Sequence, residues 1–133
     1  MNPSEPRLAV LLLGHGSKAE GANEAMHRVE ADLRAQHPAW IVASAFLEIN
    51  RPSIPEGIDL CARRGAERII LLPYFLHLGN HVAQDLPRLM AEGQARHPGL
   101  EITLGPHLGY HPKLAEIAEE RLAEAMEGAK ARR

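Results

Sequence analysis

The sequence predicts one α/β domain: a four-stranded parallel sheet with helices on both faces. Three observations point there. Short, largely apolar runs (Leu8 to Leu13, Trp40 to Phe46 and Arg68 to Leu72) read as strands buried on both faces. These runs alternate with segments whose apolar residues recur at helical spacing. The first run ends in Gly14-His15-Gly16-Ser17, which sets an imidazole at the carboxyl end of a strand, where open α/β sheets hold their ligands.

Taken in order, Leu8 to Leu13 forms the first strand, and Lys18 to Gln36 a helix with a stripe of Ala22, Ala25, Met26, Val29 and Leu33. His37-Pro38 ends that helix, because the residue before a proline is pushed out of the helical region. Trp40 to Phe46 is the second strand, leading into the polar loop from Leu47 to Pro52. Ser53 caps a second helix, with Pro55 in its first turn and Gly65 as its stop. Arg68 to Leu72 is the third strand, ended by Pro73. A loop from Tyr74 to His81 opens a third helix running to about Arg96, which Pro87 kinks or restarts. Glu101 to Leu104 is the fourth strand, and His111-Pro112 opens a last helix with a stripe of Leu114, Ile117, Ala118 and Leu122. The domain core spans about residues 7 to 127, with flexible ends on either side. A 2-1-3-4 strand order puts the switch point between the first and third strands, so the loop of His15 faces the loop of His77 and His81 across one crevice.

At 133 residues the chain is long enough for a core without staples, and its only cysteine, Cys61, excludes a disulfide framework and a thiolate zinc site. A net charge of −2 argues against general nucleic-acid binding. The amino terminus lacks a signal-peptide layout, and no apolar run approaches the ~20 residues of a membrane span, so the expected location is the cytoplasm. No Gly-x-Gly-x-x-Gly or P-loop pattern is present, which leaves no support for a nucleotide cofactor, and Ser17 lacks the elbow of a nucleophilic serine.

Three polar groups follow strand ends: His15, Glu48, and either His77 or His81. Two imidazoles and a carboxylate suit a borderline divalent cation and also accept protons near neutral pH. The plainer alternative is that His15 caps a helix, Glu48 is solvated and the remaining histidines belong to loops.

Leu13-Gly14-His15-Gly16-Ser17, Ala45-Phe46-Leu47-Glu48 with Pro52-Ser53, and Pro73-Tyr74-Phe75-Leu76 followed by Gly79, His81, Val82, Asp85, Leu86 and Pro87 resemble the sirohydrochlorin chelatases. Leu108 to Leu114 is similar to that family's last loop and helix. These small class II chelatases put cobalt or iron into sirohydrochlorin. The resemblance implies a lyase that needs no ATP and takes Co²⁺ or Fe²⁺, with Ni²⁺ a further option, as its metal substrate. It implies His15 and His81 as metal ligands and Glu48 as their helper, choosing His81 over His77. The single domain implies a homodimer. A polycarboxylate macrocycle requires local cations and an apolar floor; Ser17, Lys18, Arg51 and Arg88, with Leu47, Tyr74, Phe75 and Leu78, are the candidates. The rival readings are a non-catalytic metal- or tetrapyrrole-binding module and, more remotely, a histidine-dependent phosphoryl-transfer enzyme.

Overall fold

The structure is a computed structural model and describes residues 6–131. The chain alternates strand and helix throughout: β1 (Leu8–Gly14), α1 (Glu24–Gln36), β2 (Ile41–Phe46), α2 (Ile54–Arg63), β3 (Arg68–Pro73), α3 (Asn80–Arg96), β4 (Glu101–Leu104) and α4 (Pro112–Ala131). All pairings are parallel, and the strand order is β2-β1-β3-β4, as the sequence predicts. β1 is therefore central, flanked on both sides, and its residues from Ala9 to Gly14 are buried.

The period-two alternation of side chains divides the core into two layers. Leu11, Leu13, Ala43, Ala45, Ile69 and Leu71 point to the side covered by α2 and α3, where Ile54, Ile58, Cys61 and Leu86 meet them. Leu12, Val42 and Phe46 point the other way, toward Met26 of α1. Gly57 lets α2 press onto the sheet, since a Cβ there would lie 2.8 Å from that of Ala45. Burial pushes the Cys61 thiol up to about 11, so it serves as a small apolar side chain.

Several boundaries differ from the sequence reading. α1 starts at Glu24, not Lys18, because the chain turns at Gly21 in a left-handed conformation (φ +77). Its inward stripe is Met26, Val29, Glu30 and Leu33, with Ala22 and Ala25 exposed. Glu30 turns inward because Ser44, the buried hydroxyl on β2, donates to it, as does Arg34. Pro73 closes β3 instead of following it, since the sheet needs no N–H from the last residue of the strand. α3 begins at Asn80, so His81 sits in its first turn, and the helix runs unbroken through Pro87, with neighbouring Leu86 anchored in the core. Gly79 is its N-cap, which keeps His77 in the loop.

The last helix departs most from expectation. The stripe of Leu114, Ile117, Ala118 and Leu122 is present, yet only Leu114 of these is even half-buried. Ile117, Leu122 and Met126 are 47%, 57% and 64% exposed. α1 covers one face of the sheet beside β1 and β2, α2 and α3 cover the other, and α4 has no extensive packing against any of these elements. The helix continues to Ala131, so residues 128–131 are helical, while the other ends expected to be flexible lie largely outside the described residues.

Candidate metal-insertion site

The carboxyl edge of the sheet carries the site. β1 ends at Gly14, and His15 is the next residue; β2 ends at Phe46, and Glu48 is two residues further on. Ladder-like bonds continue past both strands, with Leu47 N–H donating to Gly14 O (2.9 Å) and Glu48 N–H to His15 O (3.1 Å). These bonds bring the two side chains together: His15 Nε2 lies 3.0 Å from Glu48 Oε1, each side chain 58% exposed. The helix-cap alternative for His15 fails, since α1 starts nine positions later, at Glu24.

Two adjoining cavities open beside this pair. One of about 230 Å³ is lined by Gly14, His15, Ser17, Met26, Tyr74 and Phe75. The other, about 640 Å³, is walled in part by Ser17, Lys18, Ile49 and Asn50. Tyr74 is set by its N–H donating to Leu13 O (2.8 Å), and Phe75 by its carbonyl accepting from Gly109 N–H (3.2 Å). The predicted pocket residues Ser17, Lys18, Tyr74 and Phe75 thus lie around His15.

Other candidates do not gather there. His81 stands exposed at the start of α3 and His77 exposed in the loop before it; among the described residues, no three His, Cys, Asp or Glu side chains converge tightly enough to grip a cation. Arg51 pairs with Glu56, whose carboxyl the Arg51 hydrogen bond and the Ser53 N–H hold down at about 2, and it lines a cavity on the β2 edge instead. Arg88 is spent on Asp85 (3.4 Å) and Glu92 (2.9 Å). Leu47 and Leu78 pack against the α2–α3 side of the core, which leaves Tyr74 and Phe75 as the apolar floor. His111 serves the α4 start, its Nδ1 accepting from Lys113 N–H at 3.1 Å.

The sequence reading missed Asn50. Its Oδ1 accepts from Ser17 N–H (2.7 Å) and from Asn23 Nδ2 (3.1 Å), which ties the loop of Glu48 to the loop of His15. An asparagine beside an exposed isoleucine in a proline-containing loop gave no signal of that reach.

Compared with known proteins, residues 9–125 match the family model described as CbiX. The chain belongs to the CbiX family. A sirohydrochlorin cobaltochelatase from Methanothermobacter thermautotrophicus is 35% identical over 137 residues, covering 92% of this chain and 95% of that protein. Two Priestia megaterium proteins, a sirohydrochlorin cobaltochelatase and a sirohydrochlorin ferrochelatase, are each 32% identical, over 120 and 117 residues. Against these two the chain spans 39% and 44% of the longer protein. Among solved structures, the sirohydrochlorin chelatase SirB of Bacillus subtilis subspecies spizizenii in complex with cobalt matches with TM-score 0.77 and 26% identity. That match covers 89% of this chain and 50% of SirB.

Proposed function

We propose that this CbiX-family protein is a sirohydrochlorin chelatase, a lyase that inserts Co²⁺ or Fe²⁺ into sirohydrochlorin without ATP. The observation that carries the reading is the 3.0 Å pairing of His15 Nε2 with Glu48 Oε1 at the mouth of the Tyr74–Phe75 cavity. Relatives named as cobaltochelatase and ferrochelatase support both metals.

Insertion exchanges two pyrrole protons for one divalent cation, so the site must deliver a metal and take up protons. With Nε2 engaged by Glu48, the lone pair that His15 offers a cation is on Nδ1; a carboxylate partner of this kind orients a ligand imidazole and raises its basicity. Glu48 also takes a proton and passes it to water, being more than half exposed. His81, in the first turn of α3 after the neighbouring strand β3, is the second ligand in this reading. Few protein ligands leave coordination positions for the ring nitrogens, which replace water one at a time. Tyr74 and Phe75 pack against the macrocycle, and Lys18 and Ser17 take its carboxylates. Arg51 would serve only after leaving Glu56.

The functional form in this reading is a homodimer in the cytoplasm. α4 exposes a stripe of Ile117, Leu122 and Met126, and Ile70 and Leu72 are only partly buried on the sheet face beside α1. One chain carries both surfaces and does not join them, which makes two copies self-complementary. Relatives about twice as long or longer supply the equivalent length within one chain.

The test is absorbance-monitored insertion of Co²⁺ and Fe²⁺ into sirohydrochlorin by the wild type, His15→Ala and His81→Ala. Loss of turnover in both variants is expected. Full activity in both would remove the site assignment, and stoichiometric binding without multiple turnovers in the wild type would favour a carrier.

A further inference from the structure

His15 and Glu48 lie on separate loops, with both side chains more than half exposed. Exposed side chains of this length change rotamer within nanoseconds, so their pairing depends on how firmly the two backbones are held. The ladder-like bonds from Leu47 and Glu48 to the His15 loop hold one side. Beyond them the chain turns at Ile49 with φ 69, a left-handed conformation that a β-branched residue adopts only when its surroundings over-determine it. Asn50 N–H then donates to Glu48 O at 2.7 Å, and its side chain is turned back toward the β1–α1 loop. There Oδ1 takes the two hydrogen bonds from Ser17 N–H and Asn23 Nδ2, across 33 and 27 residues of sequence. Asn23 is the N-cap of α1 and makes no side-chain cap bond of its own, its amide being committed to Asn50.

We infer that Asn50 is a positioning residue for metal insertion: its Oδ1 clamps the Glu48 loop to the His15 loop and holds the strained Ile49 turn that aims Glu48 at His15. The inference rests on the chelatase reading for its reaction, but the clamp itself stands on the five loop hydrogen bonds. Asn50 has no place among the metal ligands; it acts through Glu48. Both of its long-range bonds are accepted by one oxygen, so an aspartate keeps them, whereas a leucine of similar shape loses both.

The experiment compares Asn50→Leu, Asn50→Asp, Glu48→Gln and the double variant Glu48→Gln/Asn50→Leu in Co²⁺ insertion, with kcat and KM for Co²⁺ measured separately. Outer-shell changes of this kind typically cost about 10- to 100-fold. Asn50→Leu is expected to lose that much in kcat/KM, and Asn50→Asp to stay within about threefold of wild type. On the Glu48→Gln background the leucine substitution should add less than about threefold, because the clamp then has nothing left to aim. A full additive loss in the double variant overturns the inference, as does an Asn50→Asp variant as impaired as Asn50→Leu, or an unimpaired Asn50→Leu. If Asn50→Leu does not fold, Asn23→Ala carries the test: it removes only the 3.1 Å bond, and unchanged kcat/KM overturns the clamp. A wild type that inserts neither metal defeats the chelatase reading alone. Co²⁺ titration of the metal-free protein then decides the clamp: about tenfold weaker binding in Asn50→Leu but not Asn50→Asp upholds it, and equal binding in all, or none in the wild type, overturns it.

Discussion

Replacing Gly16 by alanine tests the site without touching any side chain that binds or reacts. Gly16 has φ +99, and a Cβ built there lies 1.9 Å from Glu48 O and 3.3 Å from Asn50 Oδ1. To reach even a tight contact of 3.0 Å, the Glu48 carbonyl must withdraw by more than an ångström. That motion stretches the Glu48 N–H to His15 O bond, now 3.1 Å, and draws Glu48 Oε1 away from His15 Nε2. A displacement of this size at a reacting group costs about 100-fold in rate. The forced backbone conformation costs on the order of 1–3 kcal/mol of stability, or roughly 3–12 °C in Tm for a domain of this size. Gly21→Ala separates the two effects, because Gly21 also has positive φ (+77) but nothing within 4 Å of its Cβ. It should lower Tm comparably and keep insertion within about threefold. Steady-state insertion kinetics and thermal melts of both variants decide the matter. A Gly16→Ala protein with wild-type kcat/KM, or a Gly21→Ala protein impaired as severely, would refute the argument that loop contact sets the His15–Glu48 geometry.

Leu122→Glu on the exposed stripe of α4 should turn the proposed dimer into a monomer in light scattering after size-exclusion chromatography, with little change in the far-UV spectrum. A wild type that is monomeric at all concentrations would remove the basis of that expectation. On acidification, Asp59 and Glu56 should destabilise the fold. Burial raises the Asp59 pKa, but the His97 hydrogen bond and the Arg96 charge outweigh it and hold the carboxyl below its usual value. Both carboxyls therefore ionise more readily in the folded than in the unfolded chain. The stability they contribute is complete at neutral pH and is lost as pH falls through about 4 toward 2, the Glu56 value. Chemical denaturation at pH 7 and pH 3 measures it, and Asp59→Asn should show a smaller difference between the two than wild type.

How much of this was legible in the sequence depends on the range over which the cause acts. Strands buried on both faces leave a continuous apolar signal, so β1, β2 and β3 were recoverable, and the Ser53 cap was visible because Ser53 and Pro55 are a local signal two residues apart. Glu30 was not, because its inward turn is set by Ser44 on another element. α4 shows the converse: its stripe was read correctly, yet helical periodicity says which residues share a face, not what that face meets, and among the described residues it meets no other element extensively. At the site, the strand order sets the end of β1, where His15 follows, beside the end of β3, and topology alone predicted that order. The closeness of His15 to Glu48 needed more. It comes from two backbone bonds past the strand ends, a glycine that allows an approach no other residue permits, and an asparagine 33 residues from the amide it holds. None of these has a sequence period. A histidine and a carboxylate can be read from one line of residues as candidates, but what makes them a pair is the loop geometry between them, and that geometry is carried by Gly16, Ile49 and Asn50, residues with no chemistry of their own in the reaction.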